Sequence, residues 1–482
     1  MQNSIKKNAI YNIVKTVSSI VFPLITFPYI SRVLLPDNVG KIHFGLSVIS
    51  YFTLIATLGI TTHAIRECAA VKNDKNKLNN TSSQIFSINL ITTFIAYLAL
   101  AIVLLLFRRL DNYRLIIIIQ SFAILATTLG ADWINSATED FGFITMATVS
   151  FQVIAIVLMF VFVKEPNDYL KYVVISLAAS SGANIVNIFY RARICKTSFT
   201  FKIDLKKHLV PIILLFVMIL AQTIFTNVDV LMLGLQIGDW EVGIYSTANK
   251  LYAIVLQVVT SLMWVVLPRL TNYFLEKKYD EISKLLRKVL AFNALLGLPC
   301  AVGCFMMSKE IILIAAGNDY VESVPVLKIL MIGFVFTVFG GGFIGNAVLL
   351  PAKKEKVFMI VCCITAVVNV VTNYVFIPRF GAKAAAGTTS FCAFLILVLL
   401  LPFWDKKIRV ERKLKVFLTP VTGCIGIVLT CLLFQNIPDL WLRTALSIMT
   451  SAIVYFTILL IGKNELLIEL LIRMKKKVHN QA

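Results

Sequence analysis

The sequence predicts an all-α, polytopic membrane protein, and three observations carry that prediction. The 482 residues are 59% hydrophobic and only 15% charged, with a mean hydropathy of +0.85, whereas a soluble domain needs about 25% charged residues to cover its surface. Apolar runs of about 20 residues, each long enough to cross a bilayer core as a helix, recur along the whole chain. The basic residues are unevenly placed between them. Fourteen spans are expected, centred near residues 21, 53, 95, 124, 153, 180, 221, 257, 301, 338, 367, 394, 424 and 451. An even number puts both termini on one side. If that side is cytoplasmic, the inner segments hold 32 of the 46 Lys and Arg and the outer loops 12, with Lys15 and Lys250 inside spans. Such a bias sets membrane orientation, so the net charge of +21 reads as topology, and a nucleic-acid partner is excluded.

In chain order, the first span holds FPLITFPYISRVLLPDNVG, residues 22–40. Proline removes a backbone hydrogen bond and bends a helix. Pro23 and Pro28 are therefore expected to bend this span, either as a moving part or as a fixed kink, before Arg32 and the Pro36-Asp37-Asn38 turn end it. Pro268, Pro299, Pro325 and Pro351 lie at or near the ends of later spans. The longest loops, 65–82, 190–207, 269–288 and 405–415, all fall on the basic side. Outer loops of roughly ten residues leave no room for an external catalytic domain. Asp132-Trp133, at the end of the fourth span, reads as an interfacial anchor. EKKYDEISKLLRKVL (276–290) sets Tyr279, Ile282, Leu285, Leu286 and Val289 on one helical stripe and is expected to lie as an amphipathic helix on the membrane surface. FGGGFIG (339–345) lies inside a span, where small residues let helices approach closely. A shift of 203 residues carries Val39-Gly40 onto Val242-Gly243 and Arg66 onto Arg269. This faint repeat suggests two like-oriented halves of six spans, with two more spans at the C-terminus.

Several chemistries are absent. The nine cysteines include no CxxC or Cys/His cluster, so neither a structural zinc nor a disulfide framework is expected. There is no GxxxxGK[ST] nucleotide loop, and His43, His63, His208 and His479 are scattered along the chain. No cleavable signal is expected, because the first apolar run is too long and lacks a small-residue site. No paired carboxylates face each other on the outer loops. A transporter, not an enzyme, is the most economical class.

Four blocks carry a family resemblance. YNIVKTVSSIVFPLITFPYISRVLLPDNVGKIHFGLSVISYFTLIATLGITTHAIRE (11–67) closely resembles the opening of Wzx-type polysaccharide flippases, members of the MATE-like MOP exporter superfamily. The resemblance recurs over 130–175, 227–274 and 349–386. It implies two six-helix bundles, 1–200 and 201–404, followed by two further helices and a basic cytoplasmic tail within 405–482. It implies a bacterial inner-membrane flippase that moves undecaprenyl-pyrophosphate-linked oligosaccharide between leaflets by alternating access for capsule, O-antigen or exopolysaccharide synthesis. Its partners would be membrane lipids, a polysaccharide polymerase and a chain-length regulator. The alternatives are a cation-coupled drug exporter of the same superfamily and a flippase for the peptidoglycan precursor. A membrane polymerase or glycosyltransferase would call for a large outer loop, which is missing.

Under that resemblance the cationic candidates are Lys15, Arg32, Arg66, Lys250 and Arg269. A Lys near the bilayer centre costs about 2.5–3.5 kcal/mol on insertion scales and so tends to face a cavity. Lys15 and Lys250 fall in opposite halves, as a pyrophosphate clamp requires, although snorkelling would also place them. Arg66 and Arg269 are placed to receive a headgroup or simply to flank their spans, and Arg32 ends the first span at the outer side. Asp229, with Asn227 beside it, is the candidate for a coupling H+ or Na+. It is otherwise expected to cap the following turn or to pair with Lys250. No other cofactor and no metal is expected.

Overall fold

The computed structural model describes residues 2–405, 407–408, 413–469 and 472; the basic tail expected beyond them lies outside the described residues. Every regular element among these is helical, and twelve helical stretches are long and apolar enough to cross a membrane. The chain is a multi-pass membrane protein. Two of the stretches, Ile13–Ala70 with 58 residues and Glu355–Phe403 with 49, are too long for one crossing. At 1.5 Å per residue they would run about 87 and 74 Å against a core of about 30 Å. The first is broken at Leu35 (φ 63°, ψ 167°) and again at Leu58 and Gly59 (φ 42° and 76°), and the second at Gly381 (φ 58°, ψ −138°). Each is therefore long enough for two crossings, so the number of helices is close to the fourteen spans expected.

By its contacts the chain forms two units, Met1–Gly243 and Ile244–Ala482. The first holds α1 (Gln2–Thr57), α2 (Ile60–Ala70), α3 (Lys75–Leu106), α4 (Arg114–Gly130), α5 (Trp133–Ala137), α6 (Phe141–Phe162), α7 (Tyr169–Ile194) and α8 (Leu205–Gln236), and the start of α9 (Asp239–Leu275). Leu35 breaks α1 immediately before Pro36. Pro23 and Pro28 sit inside the first arm, and Leu35 is the sole residue of α1 with non-helical dihedrals. The sharp turn is thus at Leu35–Pro36 and not at the two prolines. The repeat shift of 203 carries Leu35 onto Gly238, which also has a positive φ, 145°, so the same break opens both α9 and the second arm of α1.

The first arm of α1 runs parallel to α6. Thr145 Oγ1 donates to the Tyr11 carbonyl at 3.3 Å, Ser18 Oγ donates to Gln152, and Tyr29 O–H donates to the Val163 carbonyl at 2.7 Å, each pair 134 residues apart. Broken helix ends are served by neighbours, since the last carbonyls of a helix lack an internal donor. Asn89 Nδ2 and Thr92 Oγ1 on α3 donate to the Ala56 carbonyl at 2.9 and 2.6 Å, just before the left-handed Leu58 and Gly59. Asn187 Nδ2 donates to the Gly130 carbonyl at 2.9 Å where α4 stops.

Residues 196–204 cross α3 as an extended strap. The backbone N–H groups of Lys196, Ser198 and Thr200 donate to Asn79 Oδ1, Ser83 Oγ and Ser87 Oγ at 2.9, 3.2 and 2.8 Å. Two extended residues advance about 6.6 Å and four helical residues about 6 Å, so alternate strap residues meet every fourth helix residue in register.

The second unit continues with α10 (Tyr279–Phe292), α11 (Leu298–Met306), α12 (Ser308–Ala315), α13 (Ser323–Thr337), α14 (Glu355–Leu400), α15 (Lys413–Phe434) and α16 (Leu440–Ile461). The amphipathic stripe is present in α10, which buries Ile282, Leu286, Val289 and Leu290. It is not a separate surface helix. A π-helical turn, Asn293–Gly297, joins it directly to α11, and the two form one crossing element, Tyr279–Met306. Tyr455 O–H on α16 donates to the Leu295 carbonyl inside that turn at 2.7 Å. In the glycine-rich stretch, a Cβ on Gly340 would lie 3.0 Å from the Leu397 backbone and one on Gly345 would press on the Phe358 ring, while Gly341 has no neighbour within 4 Å. Close approach thus accounts for Gly340 and Gly345.

Two outcomes follow. Each strap bond contributes about 1 kcal/mol, so Ser83→Ala should speed amide exchange at Ser198 about fivefold and leave the core of α3 unchanged. Tyr455→Phe leaves the Leu295 carbonyl without its donor and should lower stability by about 1–2 kcal/mol, read by thermal unfolding in detergent.

Candidate functional site

In the first unit α8 lies antiparallel to the second arm of α1 and to α2. His208 meets His63 at one end, with His63 Nε2 and His208 Nδ1 2.9 Å apart. Further along, a Cβ on Gly59 would lie 2.8 Å from Leu215 Cβ, and at the far end one on Gly234 would overlap the Phe44 ring. Between these contacts sit Tyr51 and Asp229. Asp229 is 1% exposed between buried Val228 and Val230, and its carboxylate acts electrostatically on Tyr51. The Tyr51 hydroxyl is buried and has no hydrogen-bond partner among the described residues. Asp229 is thus a buried acid within electrostatic range of a buried phenol.

Asp229 does not cap a turn, because α8 continues to Gln236. Asn227 is not brought to it. Residues two apart on a helix face different ways, and Asn227 Nδ2 donates back to the Thr223 carbonyl at 3.2 Å and to Thr226 Oγ1 at 2.9 Å. Among the cations, Lys15 is half-buried in the first arm of α1 and Lys250 half-buried in α9. Arg32 is exposed and donates through Nη1 to the Pro28 carbonyl of its own helix at 2.7 Å. Arg66 and Arg269 are exposed. Trp133 is 2% exposed in the core cluster of α2, α3 and α5, so it is a packing residue and not an interfacial anchor.

The two glycines matched by the repeat shift meet each other. A Cβ on Gly40 would overlap the Asp239 carbonyl, and one on Gly243 would overlap the Pro36 carbonyl. The contact is reciprocal, with each Val-Gly turn lying on the backbone that opens the other. Around it, Tyr113 O–H donates to Asp239 Oδ1 at 2.5 Å and Asn38 Nδ2 donates to the Pro166 carbonyl at 2.9 Å.

The sequence profile of the polysaccharide biosynthesis protein family matches residues 5–274, and the MatE profile matches 214–375. The first covers more than half of the chain. The chain belongs to the polysaccharide biosynthesis protein family. It is 23% identical to a putative O-antigen transporter of Shigella dysenteriae over 405 residues, 82% of this chain and 99% of the relative. It is 22% identical to the capsular polysaccharide biosynthesis protein CapF of Staphylococcus aureus over 404 residues, 81% of this chain and 97% of that one. Among solved structures, the lipid II flippase MurJ in an inward closed conformation superposes with a TM-score of 0.74 at 18% identity, covering 95% of this chain and all of that one. At that identity the likeness establishes the fold, the MATE-like helical arrangement expected from the sequence.

In this family member, sequence reasoning singled out Asp229 as a candidate but not Tyr51 or the histidine pair. A hydroxyl in the second span was the available signal for Tyr51. His63 and His208 are 145 residues apart, and no local pattern joins them.

A side chain forced into a filled contact costs about 1–3 kcal/mol. Gly40→Val and Gly243→Val should therefore each lower the melting temperature by several degrees. Unchanged melting in both would show that the two turns do not touch.

Proposed function

We propose that the chain is a flippase that carries undecaprenyl-pyrophosphate-linked oligosaccharide repeat units from the cytoplasmic to the outer leaflet of a bacterial inner membrane. It serves surface polysaccharide synthesis and has both termini in the cytoplasm. The observation that carries this reading is the alignment with an O-antigen transporter along 99% of that relative, supported by the capsular relative. The Shigella relative, a putative transporter, argues for transport and not for an enzyme. The excess of Lys and Arg in the inner segments supports the orientation. The repeat, with its matched breaks at Leu35 and Gly238, supports two like halves, 1–200 and 201–404, with 405–482 appended.

The physical task is clear. A pyrophosphate and several sugars cannot enter hydrocarbon bare, where each unsatisfied polar group costs several kcal/mol. Lys15 and Lys250, cations within spans, would hold the diphosphate while the prenyl tail stays in lipid. Arg66 and Arg269 would receive the headgroup on the cytoplasmic side, and Arg32 would release it on the other. Asp229, beside Tyr51, would bind the coupling H+ or Na+, whereas Asn227 is turned away from it. Pro23 and Pro28 would bend the first span as access changes. A polymerase and a chain-length regulator would take the delivered unit.

A cation-coupled drug exporter is the second reading, favoured by the MatE match over 214–375. Lys15→Ala combined with Lys250→Ala should leave the protein inserted in the membrane and abolish surface polysaccharide in cells that depend on it. Wild-type polysaccharide from the double variant would overturn the clamp. Drug efflux by the wild type without any polysaccharide phenotype on deletion would favour the exporter.

A further inference from the structure

We propose that His63 and His208 form a proton-binding latch that fastens the start of α8 to α2 and opens when both rings are protonated. The two side chains are 4% and 1% exposed, and their rings meet edge to face at 78° with centroids 5.2 Å apart. His63 Nε2 and His208 Nδ1 lie 2.9 Å from each other, so one nitrogen donates and the other accepts. A neutral imidazole has one of each, and an imidazolium has donors only. The bond therefore forms when the pair carries no charge or one. With two charges, donor faces donor and two buried cations stand side by side.

The surroundings concentrate that decision on the pair. Glu67 of α2 and Lys207 of α8 act on both rings, Arg66 of α2 acts on His63, and Asp204, just before α8, acts on His208. Glu67 and Lys207 pair with each other at 3.0 Å, which bridges the same two helices. The other elements packed on α2 bring apolar side chains to this region: Leu78 and Ile85 of α3, and Trp133 and Ile134 of α5. The strap over α3 ends at Asp204, whose N–H donates to Gln84 Oε1 at 3.0 Å. The His pair is thus the titrating fastener between a chain segment already tied down and a helix, α8, that carries Asp229 in its middle. The latch does not depend on the nature of the cargo.

The sign follows from proton counting. The open state binds more protons than the closed one, so acid favours opening, by about tenfold per pH unit for each extra proton.

The test is amide exchange of the purified full-length protein in detergent, corrected for intrinsic pH dependence, combined with histidine C2–H exchange to read each ring. In the wild type, exchange of residues 206–212 should rise at least tenfold between pH 8 and pH 5, together with protonation of both rings. His208→Gln keeps a donor and an acceptor but cannot take the second charge, so it should abolish the pH response. His63→Gln should do the same if the first variant folds poorly. The proposal is overturned by either of two results: both rings of the wild type protonate while residues 206–212 stay protected, or the Gln variants keep the wild-type pH response.

Discussion

In hydrocarbon, a backbone amide or carbonyl has no water to turn to, and this constraint governs the whole molecule. Continuous helix satisfies it along each crossing. It is tested wherever a helix stops or turns, and there the chain supplies a side chain from a neighbour. Asn89 and Thr92 serve the Ala56 carbonyl, Asn187 serves Gly130, and Tyr29 serves Val163. In the second unit Tyr455 serves Leu295 inside the π turn. These donors thus sit where helices of this apolar protein stop or turn.

Those breaks also place the candidate groups. The second arm of α1 begins at Pro36 only because Leu35 leaves the helix, and that arm carries Tyr51. Beyond Gly59 the direction changes again, and α2 brings His63 to His208. Helix α8 then runs along both, so that one continuous seam contains the reciprocal glycine contact at one end, Tyr51 and Asp229 in the middle and the histidine pair at the other.

The strap of residues 196–204 shows how a polar loop is held without a sheet. Its N–H groups are taken by Asn79, Ser83 and Ser87 in the register that extended and helical rises share. Lys207 and Glu67 close the same end with an ion pair. Partly exposed pairs of this kind contribute little stability by themselves, and here the pair adds to hydrogen bonds already fixing the same helix start.

The sequence alone determined the class and the bias of charge, because each follows from local composition. It also singled out Asp229 as a candidate, since an acid in an apolar run is costly wherever it lies, and the Val-Gly turns of the repeat. Only the tertiary structure decided that those turns touch each other, that Asn227 faces away from Asp229, that the amphipathic 276–290 stretch begins a crossing helix and that Trp133 is core. It alone joined His63 to His208. Each of these depends on which faces of distant helices meet, and a single chain's local pattern holds no record of that pairing.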